Sequence, residues 1–291
     1  MARRPLCLIV NPSAGRGRAA RMLPAVEQAL RARGLPFRVE RTDSLVHART
    51  LARAAVAAGE VAAAMGGDGL LGAVAGELRG TDGVLGVLPA GRGNDFARKL
   101  GIAADPARAC DVIAAGRERA VDVAVAGDRA FLGIASAGLD SDVQDIAEAT
   151  RLPLGKLVYV YATLRALCFW RDARWELDVD GTPHAFTGYS VAVANSGVFG
   201  GGMYLVPEAA LDDGLLDVVL TAACPRRRYL GALPRVFRGT HVGSPNLTFL
   251  RGRQITFRAD RPFAAYADGD PLAELPVTIR VVPRALKVLV P

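Results

Sequence analysis

Three short apolar runs, each broken off by a glycine-rich turn and followed by a helical pattern, constrain this chain more than any other feature. Leu6-Cys7-Leu8-Ile9-Val10 ends in Asn11-Pro12-Ser13-Ala14-Gly15-Arg16-Gly17. Val61 to Met65 ends in Gly66-Gly67-Asp68-Gly69, and Val84 to Leu88 in Pro89-Ala90-Gly91-Arg92-Gly93-Asn94-Asp95. An apolar run without alternation is the form of a strand buried on both faces. Helical spacing follows in Ala19, Met22, Leu23, Val26, Ala29 and Leu30, stopping before Gly34, and again from Leu70 to Leu78. Phe37 to Arg41 alternates like a further strand, and Ser44 is placed to cap a helix running through Leu51 and Val56 to Gly59. This β-loop-α order predicts a mostly parallel sheet with helices on both faces. Such sheets bind ligands at the carboxyl ends of their strands, where all three loops fall.

Near residue 125 the pattern changes. Trp175 to Asp180, Gly188 to Ala194, Leu215 to Leu220, Gln254 to Arg258 and Val277 to Val282 read as strands, separated by Gly, Pro and Asp turns more often than by helices. Helical patterns remain at Asp140 to Glu148, Lys156 to Phe169 and Arg226 to Arg238. The organisation expected is an α/β domain over residues 1–125 and a mainly antiparallel β-sandwich over 126–283. A last strand at about 284–291 is expected to return to the first domain, and a length of 291 residues suits two domains.

Composition excludes several classes. With 51% hydrophobic and 22% charged residues the chain is neither disordered nor collagen-like. Its closest approach to a bilayer span, Leu157 to Trp170, is interrupted by Arg165 and is shorter than the ~20 residues needed. The start, Met1-Ala2-Arg3-Arg4-Pro5, leads into an apolar stretch too short for a secretory signal. Cys7, Cys110, Cys168 and Cys224 are far apart and form no CxxC pair, which argues against a metal cluster or disulfide framework, so a reducing cytoplasm is expected. His47, His184 and His241 are isolated. The net charge is +7, and the arginines concentrate between Arg226 and Arg261, where Asp260 is the sole acid. Leu230, Leu233, Val236 and Phe237 lie among them at helical spacing. Two readings stand open: a basic amphipathic segment on an anionic membrane surface, or a solvated helix packed on the sandwich. Nucleic acid is not expected as a partner, since no recognition motif accompanies the charge.

Glycine-rich turns after buried strands let backbone N–H groups approach phosphate, and the next helix adds its positive end. The Asn11–Gly17 loop has neither P-loop nor GxGxxG spacing, so a plain strand-to-helix turn remains open for it. Asp68 inside a glycine nest repels phosphate. It therefore binds a metal, holds a water, accepts a proton from an attacking hydroxyl, or merely caps the next helix. One of Asn94 and Asp95 is expected to cap a helix, leaving the other for a ligand. Read alone, Asp268-Gly269-Asp270 and Asp212-Asp213-Gly214 are turns, and Asp140 is a helix cap.

Together these segments resemble the catalytic domain of the diacylglycerol kinase family, which includes sphingosine kinases and bacterial lipid kinases. The residues that carry the resemblance begin with Asn11-Pro12-Ser13-Ala14-Gly15, Gly66-Gly67-Asp68-Gly69 and Pro89-Ala90-Gly91 with Asn94-Asp95-Phe96-Ala97. They continue with Gly138-Leu139-Asp140, Gly200-Gly201-Gly202 with Pro207, Asp213-Gly214-Leu215 and Asp268-Gly269-Asp270, in order across essentially the whole chain. The resemblance implies a nucleotide domain and a β-sandwich with ATP and Mg²⁺ in the cleft between them. It implies transfer of the γ-phosphate to the hydroxyl of a diacylglycerol-like lipid, peripheral contact with an anionic membrane, and compatibility with a homodimer. By the same resemblance Asn11, Ser13 and Gly15 line the nucleotide phosphates and Thr42 lies near the nucleotide. Gly67, Asp68 and Gly69 form the central phosphate loop, and Asn94 with Asp95 the third wall. Asp213 with the carbonyls of Ala210 and Leu215 matches a structural Mg²⁺ site. Asp270 is the first choice for catalytic base, with Asp68 and Asp268 as rivals or ligands of metal-bound water.

The chain departs from the family pattern in four places. Leu70 and Gly72 stand where the family usually has Thr and Asn, Arg92 where it has Thr, and Asp270 where Glu is commoner. Two nucleotide-contacting hydroxyls are thereby absent, and Arg92 offers planar positive charge instead. The alternatives are an NAD kinase, whose related fold also uses a Gly-Gly-Asp-Gly loop, and a non-catalytic nucleotide- or lipid-binding relative. The acceptor lipid has no readable local signature.

Overall fold

The computed structural model describes residues 4–150 and 157–291. The expected helix start at Lys156 and the residues Met1 to Arg3 lie outside the described residues. In the N-terminal lobe β1 (Leu6–Val10), α1 (Ala14–Ala32), β2 (Phe37–Arg41), α2 (Leu45–Ala57), β3 (Val61–Gly66), α3 (Asp68–Leu78) and β4 (Val84–Pro89) alternate as expected. The strands lie in the order β2-β1-β3-β4, all parallel, with Leu8 opposite both Val39 and Ala63. Every residue of β1, β3 and β4 is buried, because helices cover both faces. Ser44 caps α2 as expected, its hydroxyl accepting the His47 N–H at 3.1 Å. Two short helices, α4 (Asp95–Lys99) and α5 (Pro106–Ala115), complete the lobe.

The chain then passes through β5 (Glu118–Ala126), β6 (Arg129–Phe131), β7 (Ile134–Gly138), α6 (Leu139–Ala149) and α7 (Leu157–Phe169). A hairpin of β8 (Ala173–Val179) and β9 (Thr182–Ala194) follows, then the small β10 (Val198–Phe199) and β11 (Met203–Tyr204) pair and β12 (Leu216–Ala222). The last elements are α8 (Arg226–Phe237), β13 (Leu247–Gly252), β14 (Gln254–Ala259), β15 (Ala264–Ala267), β16 (Asp270–Glu274) and β17 (Val277–Leu289). All pairings among the strands of this lobe are antiparallel, around a core of Trp175, Trp170, Phe263 and Phe257. Sequence periodicity missed β5 to β7, β13, β15 and β16. These are short or interrupted by polar residues, and their faces are sealed by partners distant in sequence rather than by regular alternation.

β17 joins the lobes. Its first half pairs antiparallel with β14, and Lys287 and Val288 pair parallel with Val84 and Leu85 of β4. Between the halves the pairing with β5 shifts register after Val282, and Arg284 adopts φ 49°. The bulge lets one strand serve two sheets of different direction. No helix among the described residues is long and apolar enough to cross a membrane.

Candidate functional site

At the carboxyl ends of β1, β3 and β4 the three glycine-rich loops touch backbone to backbone. The Ala90 and Gly91 N–H groups both donate to the Gly66 carbonyl, at 2.8 and 2.9 Å. A β-carbon on Gly91 would lie 2.4 Å from the Gly67 Cα, and one on Gly15 would lie 2.5 Å from the Ala90 oxygen. Glycine is needed here for close approach. Asn11 forms a local turn, its Oδ1 accepting the Ser13 N–H (3.1 Å) and hydroxyl (2.7 Å). Gly15, Arg16 and Gly17 take φ of 59°, 58° and 78°, so regular helix in α1 begins after them. Thr42 reaches the same edge, its N–H donating to Val10. Its hydroxyl, however, is held inside its own turn by Ser44. Arg92 is exposed at the tip of the third loop.

Asp68 occupies the first turn of α3, yet its carboxylate caps another helix. Oδ2 accepts the Asp95 N–H (3.2 Å) and Oδ1 the Phe96 N–H (3.1 Å) at the start of α4. Neither Asn94 nor Asp95 caps α4, contrary to expectation, because Asp68 already holds the free N–H groups. Asn94, at φ 54°, turns its amide back on Gly91, accepting from the Gly91 N–H at 2.8 Å and donating to its carbonyl at 3.1 Å. Asp95 is buried and spans the cleft, accepting the Gly201 N–H of the other lobe at 2.8 Å and pairing with Arg98 at 2.7 Å. Burial pushes its carboxyl up, and the Asp68 charge adds to that against the pull of Gly201.

Asp268-Gly269 forms the β15–β16 turn with φ of 53° and 89°, so the plain hairpin reading is correct. The same turn delivers two carboxylates to the loops. Asp268 Oδ2 accepts the Leu132 N–H (3.0 Å) and Gly133 N–H (3.3 Å), and a β-carbon on Gly133 would strike the other oxygen, Oδ1, at 2.1 Å. Asp270 lies against the start of α3: a β-carbon on Gly69 would come within 2.4 Å of its Oδ2. Burial first, and then the Asp68 charge, pushes Asp268 up to about 7. The structure thus brings together Asp68, Asp95, Asp268 and Asp270, from two helices of the first lobe and one hairpin of the second. Such acids, crowded beside backbone N–H groups, suit a polyanion accompanied by a hard cation.

The loop expected to hold a structural Mg²⁺ sits apart from this cluster. Asp213 Oδ1 accepts the Leu215 N–H (3.1 Å), and its other oxygen pairs with Arg251, which also binds Asp217 at 3.0 Å. Asp212 pairs with Arg119 at 2.9 Å. The Asp213 carboxylate is thus shared between its own loop and a guanidinium. The fixed positive charge is Arg251. Two partners of this loop were missed by sequence reasoning. Asp122 on β5 is fully buried and accepts the Gly214 and Arg284 N–H groups, each at 2.7 Å. Its signal was a lone acid within the apolar run Val121 to Val125. Arg251 carried none. Asp140 is not the cap of α6: it is half-buried, bonded to the Ser136 and Ser190 hydroxyls, and raised by burial to about 6.

Comparison with known proteins agrees with this geometry. Residues 5–126 match the diacylglycerol kinase catalytic domain, and residues 133–290 the YegS C-terminal NAD kinase beta sandwich-like domain. A diacylglycerol kinase of Mycobacterium tuberculosis is 35% identical, over 97% of this chain and 94% of that protein. A Pseudomonas fluorescens protein named "Probable lipid kinase YegS-like" is 32% identical, over 92% of this chain and 90% of that protein. The crystal structure of a diacylglycerol kinase from Bacillus anthracis superposes with a TM-score of 0.81 at 22% identity, covering 99% of this chain and 97% of that one, and so shares the fold. The chain belongs to the diacylglycerol kinase family of kinases.

Proposed function

We propose that the protein is an ATP-dependent lipid kinase that transfers the γ-phosphate to the hydroxyl of a diacylglycerol-like lipid at a membrane surface. The observation that carries this is the approach of Asp270 to Gly69, which brings an acid of the second lobe onto the central phosphate loop. The loop N–H groups around Gly15, Gly67 and Gly91 orient the phosphates. Asp270 accepts the proton of the attacking hydroxyl late in transfer, when that proton has become acidic. Asp68 fixes α4 and so the third wall, and Asp95 ties the Gly200-Gly201-Gly202 loop to it, which keeps the cleft at a fixed width. Arg92, at the exposed tip, supplies charge to the outer phosphate.

Hard carboxylate oxygens suit Mg²⁺, and Asp68 and Asp268, close enough for their charges to act on each other, would hold it through its water, with Asp270 kept for the proton. No group of three or more His, Cys, Asp or Glu among the described residues forms a cage by itself. When bound there, the ion neutralises charge developing on the transferred group. The test is purified protein with γ-labelled ATP, Mg²⁺, a panel of lipids in mixed micelles, and NAD. Label in a lipid supports the proposal. Folded protein that labels no lipid overturns it, and label in NAD selects the NAD kinase alternative.

A further inference from the structure

Asn195 has no part in the site described above, and it is 1% exposed. It follows β9, where the chain turns through Ser196 and Gly197 toward the Gly200-Gly201-Gly202 loop. Its Nδ2 donates to the Leu132 carbonyl at 3.1 Å and to the Asp122 carbonyl at 3.2 Å. Two acceptors at that end of the amide require its NH₂ there and not its oxygen. Its main-chain N–H donates to the Gly133 carbonyl at 2.9 Å, and the Ser196 N–H reaches the same oxygen at 3.2 Å. Its Oδ1 is buried without a partner among the described residues. An unpaired acceptor inside a protein costs stability, so the amide is kept for its donors.

Those carbonyls belong to the peptide units that hold Asp268. The Leu132 carbonyl and the Gly133 N–H are opposite ends of one planar peptide, and the Gly133 carbonyl and the Ile134 N–H are opposite ends of the next. On the far side Asp268 Oδ2 accepts the Leu132 and Gly133 N–H groups at 3.0 and 3.3 Å, and the Ile134 N–H also favours its charged form. Each of the two peptides is gripped at its oxygen by Asn195 and at its N–H by Asp268. A hydrogen bond accepted at the oxygen polarises a peptide and strengthens the donor at its other end. It also fixes the peptide plane, and with it the place of the carboxylate.

We propose that Asn195 is a positioning residue for phosphoryl transfer, holding the backbone from Leu132 to Ile134 so that Asp268 is presented to Asp68 in one orientation. From α3 the Asp68 charge opposes ionisation of Asp268, and the backbone donors that Asn195 orients favour it. Farther along the same segment the Gly201 N–H binds Asp95, so one stretch of chain steadies acids of both lobes. The purpose of Asn195 rests on the lipid-kinase reading, but half of its test does not need activity.

Asn195→Leu keeps the approximate size of the side chain and removes both side-chain donors. In steady-state kinetics kcat on lipid is expected to fall about 10–100-fold, while KM for ATP changes by no more than about threefold. The second measurement is urea unfolding of the nucleotide-free protein across pH. Asp268, pushed up to about 7 when folded, favours folding below the ordinary carboxylate range and gives that up as pH rises through about 7. Weaker donors raise its folded pKa further, so in Asn195→Leu the loss should extend to a pH higher by about half a unit or more. Added to Asp268→Asn, the same substitution should shift nothing. Asn195→Ala, in which water reaches the freed carbonyls, takes its place where Asn195→Leu does not fold. A native kcat in the variant overturns the proposal. So does a fall in kcat with the native pH dependence of unfolding, which makes Asn195 a support of the fold alone, and so does a pH shift that persists in Asp268→Asn. Native protein that labels no lipid overturns the kinase reading instead, and the unfolding curves still decide what Asn195 does to Asp268.

Discussion

Asp122→Ala tests whether one buried carboxylate holds the junction between the lobes. Asp122 has 0% exposure, and its two oxygens accept the N–H groups of Gly214 and Arg284, each at 2.7 Å. One bond fixes the Asp213–Leu215 loop and the other fixes the bulge at which β17 changes sheet. A net contribution of about 1.5–3 kcal/mol for each charged hydrogen bond gives about 3–6 kcal/mol for the pair. Removing the carboxylate also relieves its desolvation, and water reaches the exposed Arg284, so the expected loss is about 2–4 kcal/mol. At about 2 °C per kcal/mol for a chain of this length, the melting temperature falls by about 4–8 °C in differential scanning fluorimetry. Asp122→Asn keeps one carbonyl acceptor but sets its amide against the second N–H, so it recovers at most one bond. A melting temperature for Asp122→Ala equal to that of the native chain refutes the reasoning. Native stability in Asp122→Asn shows that the charge is not what holds the junction.

Other expectations follow from the same contacts. Asp68→Asn abolishes phosphate transfer and, because one of its two caps on α4 is lost, costs about 1 kcal/mol in urea unfolding. Gly91→Ala forces a β-carbon onto the Gly67 backbone, so transfer collapses and stability drops by about 1–3 kcal/mol, as overpacking predicts. Asp268, raised in the folded state to about 7, favours folding below the ordinary carboxylate pKa and loses that contribution as pH climbs toward about 7. Unfolding measured across that range should flatten in Asp268→Asn. It should shift to lower pH in Asp68→Asn, which removes the neighbouring charge. Finally, Mg²⁺ or a chelator should leave the melting temperature of the nucleotide-free protein unchanged, whereas Arg251→Met should make it rise with Mg²⁺ as Asp213 loses its cation.

The particular motifs show why some readings succeed from sequence and others do not. Gly66-Gly67-Asp68-Gly69 announced a loop at a strand end, and the loop is there. What Asp68 binds was not legible, because its partners, the N–H groups of Asp95 and Phe96, lie 27 and 28 residues away. Asp268-Gly269-Asp270 read as turn or as catalytic segment, and the turn is there: turn chemistry is local, while the face toward Gly69 depends on how the sandwich meets the first lobe. The partner of Asp213 was hidden for a related reason, since Arg251 reaches it from a strand 38 residues on.

The sequence by itself determined the parallel βα layout, the three glycine loops and their location at the strand ends. Those are set by patterns of burial and by turn preferences that act over a few residues. Tertiary structure alone decided which carboxylates converge, which arginine neutralises Asp213, and which peptide units Asn195 holds. Each of these depends on contacts between residues far apart in the chain, where charge and exposure belong to the assembled surface rather than to any local pattern.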